Sequence, residues 1–252
     1  MFEAEDLVRQ AIERHGDQLA VACSFGKDSM TVLSMALKYN PDIKVVFENT
    51  HVQFQETYDF RDRIIDEWNL NIFESHPKKT FWECADEYGL PECRKAGGKG
   101  SNSPKCCKYL KEDPGMELMK KIKVNAVITG LQKCESMNRS TLANRYDSGK
   151  APYMEKEFDG EVVEFCGQRW WVKQFDLWKY HPIQYWSIQD VWDNICKKKM
   201  PINPVYTKWG GIYPRSGCLV CTAYKSWKER LSISHPGLFK HLMKIGGQAV
   251  LA

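Results

Sequence analysis

Short apolar runs alternate with helical stripes through the first third of the chain. Leu19 to Cys23 (LAVAC) has the continuous apolar character of a buried strand, and DSMTVLSMALKYN after it places Met30, Leu33 and Leu37 on one helical stripe. Asn40, Pro41 and Asp42 stop that helix. Ile43 to Thr50 (IKVVFENT) predicts a second strand, QETYDFRDRIIDEWNL a second core helix, and Asn71 to Ser75 (NIFES) a third strand. The alternation argues for a parallel sheet wrapped by helices, with ligands at the carboxyl ends of the strands. From Leu90 to Lys111 the basic, glycine-rich LPECRKAGGKGSNSPKCCKYLK reads as a loop, and Asn125 to Gly130 (NAVITG) returns to the sheet. A polar connection is expected from there to about Pro152. EVVEFCGQRWWVKQFDLW reads as a hairpin turning at Gly167, with one of Trp170 and Trp171 in the core and the other at the surface. Ser187 and Asp190 suit a helix cap, and KSWKERL and PGLFKHLMK suit helices, with Pro236 in a first turn.

The expected fold class is therefore α/β, a Rossmann-like doubly wound parallel sheet with a C-terminal helical, cysteine-rich extension. A division into residues 1–186 and 187–252, packed as one integrated domain, follows from the change of texture. The length of 252 residues suits one sizeable core. A net charge of +4 admits an anionic small molecule without demanding nucleic acid. No run of about twenty apolar residues is present, and the amphipathic MFEAEDLVRQAIERHGD has no apolar signal core, so the expectation is a cytoplasmic protein with no membrane contact. Ten cysteines are poorly explained there by structural disulfides, which turns attention to metal or redox chemistry.

Two groups of residues carry candidate chemistry. In SFGKDS, Ser24 to Ser29, Gly26 lets the backbone approach a phosphate, Lys27 supplies charge, and Ser24 and Ser29 supply hydroxyls at the start of a helix. It is not a Walker A loop, because Val21 fills the earlier glycine position and Asp28 replaces the Ser/Thr that ligates magnesium. Asp28 repels a bare γ-phosphate; it suits a helix cap, or Mg²⁺ held against a pyrophosphate. The second group is Cys106 and Cys107 in PKCCKYLK with Cys218 and Cys221 in CLVC, two thiol pairs suited to zinc or to an iron–sulfur cluster. Adjacent cysteines point both sulfurs at one tetrahedral ion with difficulty, whereas a cubane offers separate iron corners. Lys105, Lys108, Lys111, Arg215 and Lys225 flank the pairs, either as a solvated basic face or as charge that offsets an anionic cluster. Of the remaining cysteines, Cys23 and Cys196 read as buried thiols.

SFGKDS resembles the PP-loop, usually Ser-Gly-Gly-Lys-Asp-Ser, of the adenine-nucleotide α-hydrolase-like superfamily, with Phe25 where a glycine is usual. ENTHVQFQETYDFRDRI resembles the Asp-Thr-Gly…Phe-Pro-Glu-Thr segment of the phosphoadenosine and adenosine phosphosulfate (PAPS and APS) reductase family, keeping Thr50, Phe54, Glu56 and Thr57. TGLQKCESMNR resembles its Thr-Gly-Leu…Glu-Ser…Arg segment through Gly130, Glu135, Ser136 and Arg139, and HPIQYWSIQDVWDNI with INPVY resembles the segment before its C-terminal cysteines. The similarity runs from Leu19 to Tyr224. It implies cleavage at the α-phosphate of an adenine nucleotide (PAPS, APS or ATP), with Ser24, Phe25, Gly26, Lys27, Asp28, Ser29, Thr50 and Gly130 binding it and Arg139 near the phosphate or sulfate. It also implies a [4Fe–4S] cluster on Cys106, Cys107, Cys218 and Cys221.

The resemblance breaks where reductases carry a nucleophilic cysteine, in a Glu-Cys-Gly-(Leu/Ile)-His tail; MKIGGQAVLA has none, and no cysteine follows Cys221. A long insertion also occupies roughly Arg145 to Lys173. Reduction then calls on another thiol, Cys134 within the TGLQKCESMNR segment or Cys93, or on a partner protein. The leading reading is a reductase that releases sulfite and an adenosine phosphate, with Lys27, Asp28, Arg139 and Cys134 as catalytic residues and a thiol as electron donor. A second is an ATP-dependent adenylating sulfurtransferase with a sulfur donor and a tRNA, DNA or small-molecule acceptor; RWWVK offers rings that stack a base. A third is a nucleotide- or redox-sensing module without catalysis. A homodimer is compatible with all three.

Overall fold

The computed structural model describes residues 2–91, 104–224 and 226–248. Cys93 and Lys225 lie outside the described residues. Six strands form the main sheet in the order β3-β2-β1-β4-β8-β7: β1 (Leu19–Ala22), β2 (Lys44–Glu48), β3 (Ile72–Ser75), β4 (Ala126–Thr129), β7 (Arg169–Val172) and β8 (Leu177–Tyr180). β1 runs parallel to both β2 and β4, and β4 parallel to β8, while β7 closes the edge antiparallel to β8. The sheet is thus mostly parallel, as its apolar, β-branched strands require when both faces are covered. Strand order reverses between β1 and β4. The carboxyl ends of these two neighbours define the switch point at which doubly wound sheets take ligands.

Ten helices are described. Those expected from sequence are α1 (Ala4–His15), α2 (Lys27–Tyr39), α3 (Gln55–Trp68), α8 (Ile188–Lys197), α9 (Trp227–Ser234) and α10 (Pro236–Gln248). Around α2, Met30, Val32, Leu33, Met35 and Ala36 are all buried, a wider apolar face than a single stripe. Ser187 and Asp190 form a reciprocal capping box on α8. Chain contacts resolve two compact units, one of residues 1–47, 64–73 and 118–202, the other of residues 48–63, 74–117 and 203–252.

Four local expectations are corrected. The run to Lys111 does not stay a loop: after Pro104 come the turn α5 (Lys105–Cys107), a π-helical turn (Lys108–Glu112) and α6 (Asp113–Lys121). The π turn shifts the helical phase, so no single 3.6-residue period links Leu110 to Met119 and the pattern hides the helix. α4 (Phe81–Tyr88), closed by a Thr80–Glu83 capping box, precedes it. The polar connection contains α7 (Met137–Asp147), which leaves Met137 and Leu142 exposed and therefore lacks an apolar stripe. The hairpin divides in two: Gly167 does turn the chain, through a Cys166–Arg169 bridge, but β6 (Glu161–Glu164) pairs back with β5 (Glu155–Phe158) and β7 pairs onward with β8. Trp170 is buried and Trp171 half-buried. Finally, Cys196 is exposed on α8, while Cys23 is buried as expected.

Candidate phosphate loop and cysteine site

In the first unit, the chain leaves β1 and enters α2 through Ser24–Gly26. Phe25 adopts a left-handed φ of 56°, the conformation a glycine takes at no cost. Its ring is fully buried and meets Phe47 edge to face, with centroids 5.5 Å apart. Burial of the ring offsets the roughly 1–2 kcal/mol of backbone strain, which is how a phenylalanine holds a glycine position. Gly26 is the N-cap and no side chain caps α2, so its first-turn amides face outward with the positive end of the helix dipole. Ser29 turns its hydroxyl back to the Gly26 carbonyl (3.1 Å) and lies 3.3 Å from Ser24 Oγ, fixing the loop. Lys27 is buried, its Nζ 2.6 and 2.7 Å from the two carboxylate oxygens of Asp28.

Gly130, immediately after β4, completes this part. A Cβ there would sit 2.6 Å from the Asp28 carbonyl and 2.7 Å from the Ser29 amide. Only a glycine allows the end of β4 to approach the first turn of α2 this closely. Beyond it, Cys134 is exposed, its thiol 3.6 Å from the Trp186 carbonyl. Ser136 caps α7 by accepting from the Arg139 amide, and Glu135 forms an i,i+4 ion pair with the Arg139 guanidinium. Both candidate cations of the loop site, Lys27 and Arg139, are therefore held in place by neighbouring carboxylates. His181, which follows β8 and is fully buried, has Nδ1 2.6 Å from Thr129 Oγ1. Burial, and then Lys179 and Arg139, push its pKa well below the ordinary histidine value, so this imidazole is neutral.

In the second unit, α5 presents Cys106 and Cys107, and the bridge between Gln53 and Cys218 brings in the other pair. Cys106 and Cys218 both pack on the apolar cluster of Phe81, Leu110 and Val220. The adjacent thiols hydrogen-bond to each other, which pushes Cys106 up and Cys107 down, with Lys111 also lowering Cys107. Burial pushes Cys221 up to about 11. Lys111 is held protonated above its ordinary value, first by Cys218 and then, against the opposing effect of burial, by Glu48 and Cys107. Thr50, which the resemblance places at the nucleoside, is buried with its hydroxyl 3.5 Å from Cys218 Sγ. His51 takes a left-handed φ of 59° where the family motif has glycine, and Asn49 holds it by accepting from the His51 amide at 2.8 Å. Of the flanking cations, Lys105 and Lys108 are exposed and Lys111 and Arg215 are half-buried, with Lys111 near enough to Cys218 and Cys107 to feel their charge. Lys111 stands one helical turn beyond Cys107, the spacing that sets it apart from the other lysines of PKCCKYLK. Glu48 was not anticipated; it lies so close to α6 that a Cβ on Gly115 would meet its carboxylate at 2.7 Å.

All nine described cysteines are free. Among the described residues, no three His, Cys, Asp or Glu side chains converge as a ready site for a metal ion. Two thiol pairs from two chain segments, with Lys111 beside them, form an all-thiol donor set of the kind that zinc and iron–sulfur clusters both use.

The profile of the phosphoadenosine phosphosulfate reductase domain matches residues 18–224. The chain belongs to that family. It is 29% identical over 221 residues to the adenosine 5'-phosphosulfate reductase of Staphylococcus haemolyticus, covering 87% of this chain and 76% of the relative. Its fold is similar to that of the phosphoadenylyl-sulfate reductase from Candida auris, solved as a phosphate complex (TM-score 0.55, 18% identity, 81% and 83% of the two chains). It is also similar to that of the U34-tRNA thiolase NcsA from Methanococcus maripaludis, solved with its [4Fe–4S] cluster (TM-score 0.52, 12% identity, 98% and 78%). Among the described residues, no helix is long and apolar enough to cross a membrane.

Proposed function

We propose that this chain is a sulfonucleotide reductase: it binds an adenosine 5'-phosphosulfate nucleotide at the Ser24–Ser29 loop and releases sulfite and an adenosine phosphate. The observation that carries the reading is that one family match, residues 18–224, takes in the phosphate loop, the Gly130 contact and both thiol pairs. The α2 amides and Lys27 hold the nucleotide phosphate, and Arg139 neutralises the sulfate end. Asp28 and Glu135 orient the two cations.

Cys134 is the nucleophile of this reading, being exposed and four residues beyond Gly130. Its thiolate attacks the sulfate sulfur, the S–O bond to the α-phosphate breaks, and the adenosine phosphate leaves with the electron pair. A donor thiolate then attacks Cys134 Sγ and sulfite departs with the S–S electron pair. A second thiol of the donor reduces the mixed disulfide, so two electrons from the donor match one sulfite formed. Cys106, Cys107, Cys218 and Cys221 would hold a [4Fe–4S] cluster, which supplies a polarising centre beside the thiols when bound. Lys111 offsets the negative charge of these ligands, and Glu48 positions Lys111.

The test offers APS, PAPS and ATP in turn to anaerobically purified protein with a dithiol and magnesium. Sulfite from APS or PAPS, lost in Cys134→Ser, is the expected result. Pyrophosphate and AMP from ATP without sulfite would replace this reading with ATP-dependent sulfur transfer.

A further inference from the structure

β2 and β3 are neighbours in the sheet, and just beyond β2 the Asn49 amide still donates to the Ser75 carbonyl at 3.1 Å. That register brings the residues that follow the two strands, His51 and His76, side by side within the second unit. Their ring planes are 26° apart with centroids at 5.3 Å, and His51 Nε2 lies 3.3 Å from His76 Nδ1. Both side chains are open to solvent. The backbone of His51 is fixed in its left-handed conformation by the Asn49 side chain, which accepts from the His51 amide. Beside the pair lies Glu74, with Oε1 3.8 Å from His76 Nδ1. The Asn49 side-chain amide donates to that oxygen, and Arg61 holds the other at 3.2 Å, so the carboxylate is fixed as well. The separation of the two ring nitrogens is long for a hydrogen bond. It matches the edge of a zinc tetrahedron, because two nitrogens each about 2.0–2.1 Å from one ion stand about 3.3–3.4 Å apart. With His51 protonated on Nδ1 and His76 on Nε2, the two facing nitrogens are both free to ligate and no proton has to leave.

We propose that His51 and His76 chelate a divalent transition ion of the zinc type in an open site, with water in the remaining positions and Glu74 as an outer carboxylate that bonds that water. Two protein ligands suffice for it, so it needs no third converging side chain. The proposal does not rest on the reductase reading, because neither histidine belongs to the phosphate loop or to the thiol pairs.

The probe is Zn²⁺, titrated by calorimetry into the anaerobically purified full chain, with Co²⁺ as its coloured stand-in. Thiols also take zinc, so the site is read as the difference between the wild type and variants that keep every cysteine. His51→Gly is safe for the fold, since glycine adopts the left-handed φ without strain, and His76→Gln changes an exposed side chain. The expected result is one binding event in the wild type that each variant weakens at least about tenfold and that Lys27→Ala leaves unchanged. The Co²⁺ difference spectrum between wild type and His76→Gln is expected to show ligand-field bands without thiolate-to-cobalt charge transfer. Zinc binding that is the same in the wild type and both variants would overturn the proposal. So would weakening in only one variant, which would leave a single histidine as the ligand, or a difference spectrum dominated by thiolate charge transfer, which would assign the ion to the cysteines.

Discussion

The phosphate loop offers backbone and the cysteine group offers side chains, and the two are built accordingly. At the loop, the atoms proposed to hold phosphate are the first-turn amides of α2, positioned by Gly26 and by the approach of Gly130 to the Asp28 carbonyl and Ser29 amide. Space and φ angles decide that site, so a single methyl group damages it. At the cysteines, residues more than a hundred positions apart in sequence are gathered on a shared apolar cluster, with Lys111 and Glu48 setting the charge around them. Ligand identity decides that site, and backbone geometry matters less. The difference teaches where each is vulnerable.

The largest expected effect is at the thiols. If the proposed cluster is held there, Cys107→Ser or Cys218→Ser takes away one of its four thiols, and the purified variant is expected to lack the iron and visible absorption that Lys27→Ala keeps. Iron and colour retained in both serine variants would break the comparison on its cysteine side. Next comes Gly130→Ala, whose Cβ overlaps backbone that cannot rotate away. Overpacking of this kind costs about 1–3 kcal/mol, and nucleotide binding is expected to fall below detection while iron content stays unchanged. Chemical denaturation and nucleotide titration measure the two parts separately.

Lys27→Ala is expected to be milder for the fold and specific for the ligand. Loss of one charge-assisted contact, worth about 1.5–3 kcal/mol, weakens adenine-nucleotide binding roughly ten- to a hundredfold. Equal affinity in the variant would show that Lys27 takes no part in holding the nucleotide.

A last effect belongs to neither site and serves as a baseline for both. His15 is buried between Asn125 and Tyr180, and burial lowers its pKa from 6.5 to about 4. A lowered imidazole pKa means that the unfolded chain takes up the proton first as the pH falls. Stability from this group is full above about pH 6.5 and is lost between pH 6.5 and 4, on the order of 3 kcal/mol in all. Urea midpoints measured across that window should fall, and fall less in His15→Gln. A flat profile for the wild type would remove the neutral, buried state of His15 from the account.

The legibility of the molecule in its sequence follows the same division. The α/β alternation, the switch-point loop and the caps of α8 are local, periodic signals, and the residues from Leu19 to Ser75 form the strands and helices their pattern predicts. α7 and the helix bearing Cys106 and Cys107 were hidden. One has no apolar face and the other changes phase at its π turn. Two family glycine positions are filled by Phe25 and His51, and both residues keep the left-handed backbone that glycine would supply. A substitution at such a position reads as a departure in sequence, yet the backbone conformation is retained. The approach of Lys111 to Cys218 and of Glu48 to Gly115 depends on packing between distant segments, which no local pattern encodes.

The central claim is that this chain opens the S–O bond of a sulfonucleotide with its own Cys134 thiol. The most direct measurement mixes the anaerobic protein with one equivalent of APS, and separately of PAPS, without any external thiol, and maps sulfonate adducts on cysteine by mass spectrometry alongside nucleotide release. The account predicts a sulfonate on Cys134 in step with release of the adenosine phosphate, absent in Cys134→Ser and released as sulfite when a dithiol is added. Nucleotide left uncleaved, or an adduct on a different cysteine that persists in Cys134→Ser, would contradict it.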